Sequence, residues 1–196
     1  MTDQAEHTET AAPAPSRPDR PDGRLRRRLN GLRRAYAPQE RRPLGGYLLT
    51  LMAYGGAVAG LAAAGRLTGR RLPERPDVTD VVLISLATHK LSRLLAKDSV
   101  TSPLRAPFTR YQEPTGHSEV NEEVRAERGT PAHAVGELVS CPYCLAMWVS
   151  TGFTGGLVLA PRLTRLVATA FTAVAVSDFL QAGYAMVNAA ADDESR

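Results

Sequence analysis

A chain of 196 residues, with 24 basic and 20 acidic side chains and a net charge of +4, has room for one domain and a tail. Its mean hydropathy of −0.20 averages a polar N-terminal third against later uncharged blocks, which excludes a uniformly water-soluble domain. Two cysteines exclude a disulfide framework, and no apolar N-terminal core precedes a small-residue cleavage site, so no secretory signal peptide is expected.

In chain order, residues 1–23 carry nothing apolar larger than alanine or proline after Met1. Such a segment cannot offset its ordering entropy, and a disordered tail is expected. Residues 24–42 read as a basic juxtamembrane segment, with six arginines and no acid from Arg24 to Arg34. Leu25, Leu29, Leu32 and Tyr36 recur at helical spacing, which suits a helix on anionic lipid headgroups, each basic residue contributing ~1 kcal/mol. The plainer reading is a topogenic charge block that keeps this end in the cytoplasm, because Gly31 weakens a helix. No recognition fold follows the arginines, so nucleic acid is not an expected partner.

A membrane domain is expected over 43–188, with spans at about 44–64, 78–95, 143–160 and 163–187 and a C-terminal tail at 189–196. Leu44 to Ala64 is free of charge and long enough to cross ~30 Å of hydrocarbon. Gly56 and Gly60 within it offer a close-packing face or plain lipid-facing filler. The second span is less clean: Ser85, Thr88, His89 and Ser92 line one face, Lys90, Arg93 and Lys97 a neighbouring one, and Asp80 is expected to cap the far end. Residues 98–140 read as a solvated polar loop on the cytoplasmic side, broken by prolines, whose acids match no calcium-loop spacing. Thr130-Pro131 reads as the N-cap and first turn of a short helix through His133 to Val139. The fold class expected is all-α, a bundle of four transmembrane helices.

Ser140-Cys-Pro-Tyr-Cys144 opens the third span. Ser140 is the expected N-cap, with Cys141 and Cys144 on one helical face and Trp148 a turn further on. A helix N-terminus favours thiolate, so redox chemistry is credible. The four letters coincide with the glutaredoxin active site, but the βαβ setting is missing, and a relay like that of vitamin K epoxide reductase needs a second cysteine pair. Zinc is an alternative, held by Cys141, Cys144 and His133 with His117 or a second protomer completing four. The plainest reading is two buried, reduced thiols that pack a helix entrance. Asp178, a carboxylate within the fourth span, is costly there and needs a partner; His89, Lys90 and Arg93 are the candidates by depth.

Ten arginines between Arg17 and Arg42, against four between Arg66 and Arg75, place the N- and C-termini in the cytoplasm of a bacterial plasma membrane. Arg93-Leu-Leu with Asp98 and Val100-Thr101, Arg105-Ala-Pro107-Phe108, and Gly136-Glu137-Leu-Val-Ser-Cys-Pro-Tyr-Cys with Trp148 occur in order. In these the region from Ala87 to Met186 resembles a bacterial membrane-protein family known as domain of unknown function 1360. The resemblance implies a small multi-pass protein, in some members associated with sporulation, and no defined activity. The function expected is a non-enzymatic scaffold or accessory component, assembled with itself or with a membrane partner. A thiol-redox or zinc protein at Cys141 and Cys144, and a small transporter using Asp178, are the alternatives.

Overall fold

The computed structural model describes residues 42–194 except 74, 76 and 117, together with 27–28, 30–31, 35–36 and 38–39. The chain divides into Met1–Arg41 and Arg42–Arg196. In the first unit 27–28, 30–31 and 35–36 are helical; the expected disordered tail and most of the basic segment lie outside the described residues, as does His117.

The elements are α1 (Leu44–Leu67), α2 (Val78–Lys97), a 3-10 turn (Ser99–Thr101), one-turn α3 (Ser102–Arg105), β1 (Thr109–Pro114), β2 (Val120–Val124), α4 (Pro131–Ser140), α5 (Pro142–Leu159) and α6 (Pro161–Glu194). The chain is mostly helical, but the expectation of an all-α fold is corrected by β1 and β2, an antiparallel hairpin with a register shift between Tyr111 and Glu113. By length and apolarity three helices are able to cross a membrane: α1, α5 and α6. Helix α2, the expected second span, is not among them, because Asp80, Lys90, Arg93 and Lys97 lower its hydropathy.

Helix α1 ends in a Schellman motif. Gly69 takes a φ of 65°, the left-handed region that glycine adopts freely. Its N–H donates to the Arg66 carbonyl at 3.1 Å, and the Arg70 N–H donates to Gly65 at 2.9 Å, satisfying the last orphan carbonyls. Helix α2 is capped by Asp77, whose carboxylate accepts from the Thr79 N–H at 2.8 Å. Asp80 was expected in that role; instead it takes a two-pronged bond from Arg165 of α6, at 2.8 and 2.7 Å. Pro161 opens α6 directly after α5 ends, so α6 folds back along α5 and continues to Glu194, past the expected span end.

The core is small-residue packing around α2. Ala87, Phe153 and Ala168 form its buried centre, flanked by Leu83, Ile84, Leu91, Val149 and Phe171. Thr88, Ser92 and Ala96 are also buried, so half of the polar face read from the sequence turns inward, where short side chains let helices approach closely, while Ser85 and His89 stay exposed. Side-chain pairs give the helix directions. Along α2 and α6, Asp80 meets Arg165, the Leu83 carbonyl accepts from Thr172, and Lys90 meets Asp178. Both numbers rise together, so these helices run parallel. Along α1 and α5, Tyr54 bonds Thr151 at 2.8 Å, Leu61 covers Gly155 and Gly65 faces Val158; these two are parallel as well.

Candidate functional site

Residues 98–140 were expected to be a solvated loop. They form an ordered platform instead, and its centre is Arg105, 1% exposed. A guanidinium carries five N–H donors in a rigid fork. Here Nε donates to Glu122 Oε2 at 2.8 Å and Nη1 to the Leu95 carbonyl and the Thr101 hydroxyl, at 2.8 and 2.6 Å. Nη2 reaches the Asp98 carbonyl at 2.9 Å and Glu122 Oε1 at 3.0 Å. Leu95 lies in the last turn of α2, so a side chain ten residues later caps that helix and favours the negative end of its dipole.

Glu122 completes the arrangement by also accepting from the hydroxyls of Thr109 and Ser102, at 2.8 and 3.2 Å. Burial pushes its carboxyl up, but the bonds from Arg105, Thr109 and Ser102 and the Arg105 charge outweigh burial and hold it below the usual glutamate value. Glu122 had been read as one of several solvated acids. The signal that could have found it is the alternation Val120, Glu122, Val124, which puts all three on one face of a strand.

Close backbone approach fixes the platform to its neighbours. A Cβ at Gly136 of α4 would stand 2.6 Å from Val124 Cγ1 and 3.3 Å from the Phe108 carbonyl oxygen. Phe108 is half-buried and its carbonyl accepts from the Arg125 N–H at 2.8 Å, while Pro107 is exposed on the turn before it. Glu137 accepts from the Tyr47 hydroxyl of α1 at 2.6 Å. Trp148 packs edge-on against Tyr54, with ring centroids 5.3 Å apart, and so ties α5 to α1.

A cavity of about 630 Å³ opens between α2, the second half of α6 and the hairpin tip, within the ~300–1,000 Å³ range of ligand pockets. Its charged lining is Lys90 with Asp178 at 2.6 Å and Arg93 with Glu119 at 2.7 Å, and Asp98 adds to the rim. His89 stacks on Phe179 at 5.7 Å in the same wall. Asp178 therefore meets Lys90 out of the three candidates by depth, while His89 shares the cavity and Arg93 is engaged by the hairpin. The net charge of the two pairs is zero. The lining suits a small polar molecule held by exchanging one intramolecular ion pair for contacts to itself.

The cysteines stand apart from this cavity. The Cys141 Sγ accepts from the Cys144 N–H at 3.3 Å, so Cys141 is the N-cap of α5. Ser140, expected there, belongs to α4 and donates to the Gly136 carbonyl at 2.8 Å. Both thiols are free, Cys141 half-buried and Cys144 exposed, so the expectation of two buried packing thiols is corrected. His133 does not join them. Its Nδ1 lies 3.0 Å from the Ala126 carbonyl and its Nε2 3.5 Å from Glu137. Among the described residues no three His, Cys, Asp or Glu side chains are grouped as a metal needs. Thr130 caps α4 as expected, accepting from the His133 N–H at 3.2 Å.

These features define a class: a mostly helical protein with three helices able to cross a membrane, packed around a charged helix that ends in an Arg-centred platform. The chain belongs to the family described as protein of unknown function DUF1360, whose model matches residues 83–184. It is 38% identical over 69 residues to sporulation protein YjcA of Bacillus subtilis, covering 35% of this chain and 58% of that protein. It is 26% identical over 93 residues to the UPF0713 protein YngL of the same organism, covering 46% of this chain and 66% of that protein. The chain thus spans less than two thirds of either relative. No solved structure matches.

Proposed function

We propose that this chain is a four-crossing accessory component of a bacterial plasma membrane, whose platform of residues 98–140 presents a cytoplasmic docking surface to a partner protein. The crossing of α2 is supported by the helix directions. If α1 and α5 cross the same way, the chain between them must return, and α2 is the helix that does so, parallel to α6 along its length. Its charges toward the core of the membrane are paired, which lowers the cost of placing them there. The arginine asymmetry of the sequence puts the platform and both termini on the cytoplasmic side.

The observation that carries the docking reading is the welded platform itself. A buried Arg–Glu pair with every donor used specifies one arrangement of the hairpin and the end of α2. That arrangement leaves Val100, Leu104 and Tyr111 82%, 66% and 58% exposed outside the three candidate spans. Rigid, exposed apolar side chains are what a partner buries. The name of the relative YjcA supports a setting in sporulation.

Reporter fusions after residues 42, 72, 122 and 192 test the topology: only the one after 72 should read as external. Photocrosslinkers at Leu104 and Tyr111 in the native membrane test the docking. A discrete adduct at both, absent with the crosslinker at lipid-facing Leu51, is the expected result. No adduct at either position would remove the docking reading. A transport reading is favoured by the cavity that gathers His89, Lys90 and Asp178, and it requires solute uptake that Asp178→Asn abolishes.

A further inference from the structure

We propose that the cleft between α1 and α5 is a binding site for one acyl chain of an anionic phospholipid, with the lipid phosphate held by Arg66 and Arg70. The site rests on the reading that α1 and α5 cross the bilayer, and it is independent of which face is cytoplasmic. The cleft has a volume of about 430 Å³ and lies at the C-terminal end of both helices. Its walls are Val58, Leu61 and Ala62 of α1 with Gly155 and Val158 of α5, and Leu72 closes one end. The hydroxyls in the lining are spent internally: Thr154 donates to the Ser150 carbonyl at 2.8 Å, Ser150 to Met147 at 3.1 Å, and Thr151 bonds Tyr54. The hydroxyl protons of the floor are therefore already used, and both walls belong to helices apolar enough to sit in hydrocarbon. An apolar slot facing lipid tails is filled by a tail.

The mouth supplies the charge. Arg66 and Arg70 line it, no acid does, and neither arginine has an ion pair or side-chain hydrogen bond among the described residues. The Schellman motif at Gly69 sets the turn that brings Arg70 back beside Arg66: the Arg70 N–H is fixed on the Gly65 carbonyl at 2.9 Å. Two guanidinium forks at the membrane interface match a phosphodiester, which accepts from them in pairs. The inference also gives a use to arginines that, by charge counting alone, sit on the wrong side of the membrane for the orientation proposed above.

The test uses the full chain purified in mild detergent, with retained lipid read by native mass spectrometry after exposure to phosphatidylglycerol or phosphatidylcholine. One phosphatidylglycerol per chain is expected, preferred over phosphatidylcholine by about tenfold. Arg66→Gln with Arg70→Gln should remove the preference without lowering the unfolding temperature, since neither side chain supports the fold. Ala62→Phe, at an exposed position that fills the slot, should remove bound lipid of both kinds. Equal retention of the two lipids by the natural chain, unchanged preference in the arginine variant, or protection by inorganic phosphate as strong as by the lipid would overturn the site. So would a lipid-free dimer, in which a second copy covers the cleft. Release of the chain from membranes by alkaline carbonate would overturn the spanning reading itself, whereas retention in the membrane with lipid indifference sinks only the site.

Discussion

Helices α1 and α2 have similar lengths, 24 and 20 residues, and opposite relations to the rest of the molecule. Helix α1 carries no charge before Arg66, yet of its side-chain positions only Gly46 and Gly65 are buried, and Leu48, Leu51 and Met52 are more than half exposed. Helix α2 carries four charges and buries Ala87, Thr88, Ser92 and Ala96 between α5 and α6. In water the more apolar helix would be the inner one. In a bilayer, apolarity marks what faces lipid, and the polar helix goes to the centre where its groups find partners. Hydropathy alone therefore points to the periphery of this fold and away from its organising element.

The sharpest way to break that contrast is to strip the end of α2 of its cap. Arg105→Ala leaves Glu122 buried without its partner and the Leu95 and Asp98 carbonyls short of a donor. A loss of roughly 3–5 kcal/mol is expected, because an uncompensated buried charge costs more than the pair contributes. Thermal unfolding in detergent measures it, and a comparable truncation on α1, Met52→Ala, should cost far less. An unfolding temperature that hardly moves in Arg105→Ala would mean that the platform is not the keystone. The same pair sets a pH dependence. The Glu122 carboxyl is depressed in the folded chain, so its stabilisation is complete above the ordinary glutamate value of about 4.3 and is lost as pH falls through the lower folded value. Glu122→Gln should flatten that acid limb.

Glycine substitutions extend the comparison at smaller magnitude. Gly136→Ala drives a methyl into Val124 and the Phe108 carbonyl, and overpacking of this kind costs about 1–3 kcal/mol. Gly60→Ala on α1 meets nothing within 4 Å and should be neutral or gain up to ~1 kcal/mol of helix propensity. A strong loss at Gly60 would reveal a neighbour on that face of α1, such as a second copy of the chain. The Lys90–Asp178 pair lies lower on the scale, since the Asp178 side chain is 48% exposed. A double-mutant cycle with Lys90→Met and Asp178→Asn should give a coupling of about 0.5–1 kcal/mol. Strict additivity would mean that the two charges act separately on the cavity.

How much of this was legible in the sequence follows the physics of each region. Uncharged runs such as Leu44–Ala64 and the Pro161 break are local signals, and they marked α1, α5 and the start of α6. The family motifs marked Arg93, Arg105, Gly136 and Trp148 as positions of interest, and all four turn out to join elements. What stayed hidden was pairing at a distance. Arg105 meets Glu122 across 17 residues and Asp80 meets Arg165 across 85, and even where local alternation singles out Glu122, nothing local names the partner of either acid. The hairpin was hidden for the same reason: its interleaved charges read as solvated, and the partners that hold the inward face of β2 come from α3, β1 and α4.

The smallest expected effect concerns the cysteines, where stability and chemistry can be separated. Cys141 caps α5 through its sulfur, a weak acceptor. Cys141→Ala should cost about 0.5 kcal/mol, the low end for a lost cap, and Cys141→Ser should be neutral or slightly stabilising, because serine is the better N-cap. Cys144 is exposed and its thiol lies beside that of Cys141, so Cys144→Ser, which keeps a small polar group there, should hardly move the unfolding temperature. If both serine variants also keep whatever phenotype the natural chain has, the sulfur atoms serve as a cap and a surface group. A folded Cys141→Ser or Cys144→Ser chain that loses its phenotype would show that the thiols act chemically, and the docking reading would then give way to a redox one.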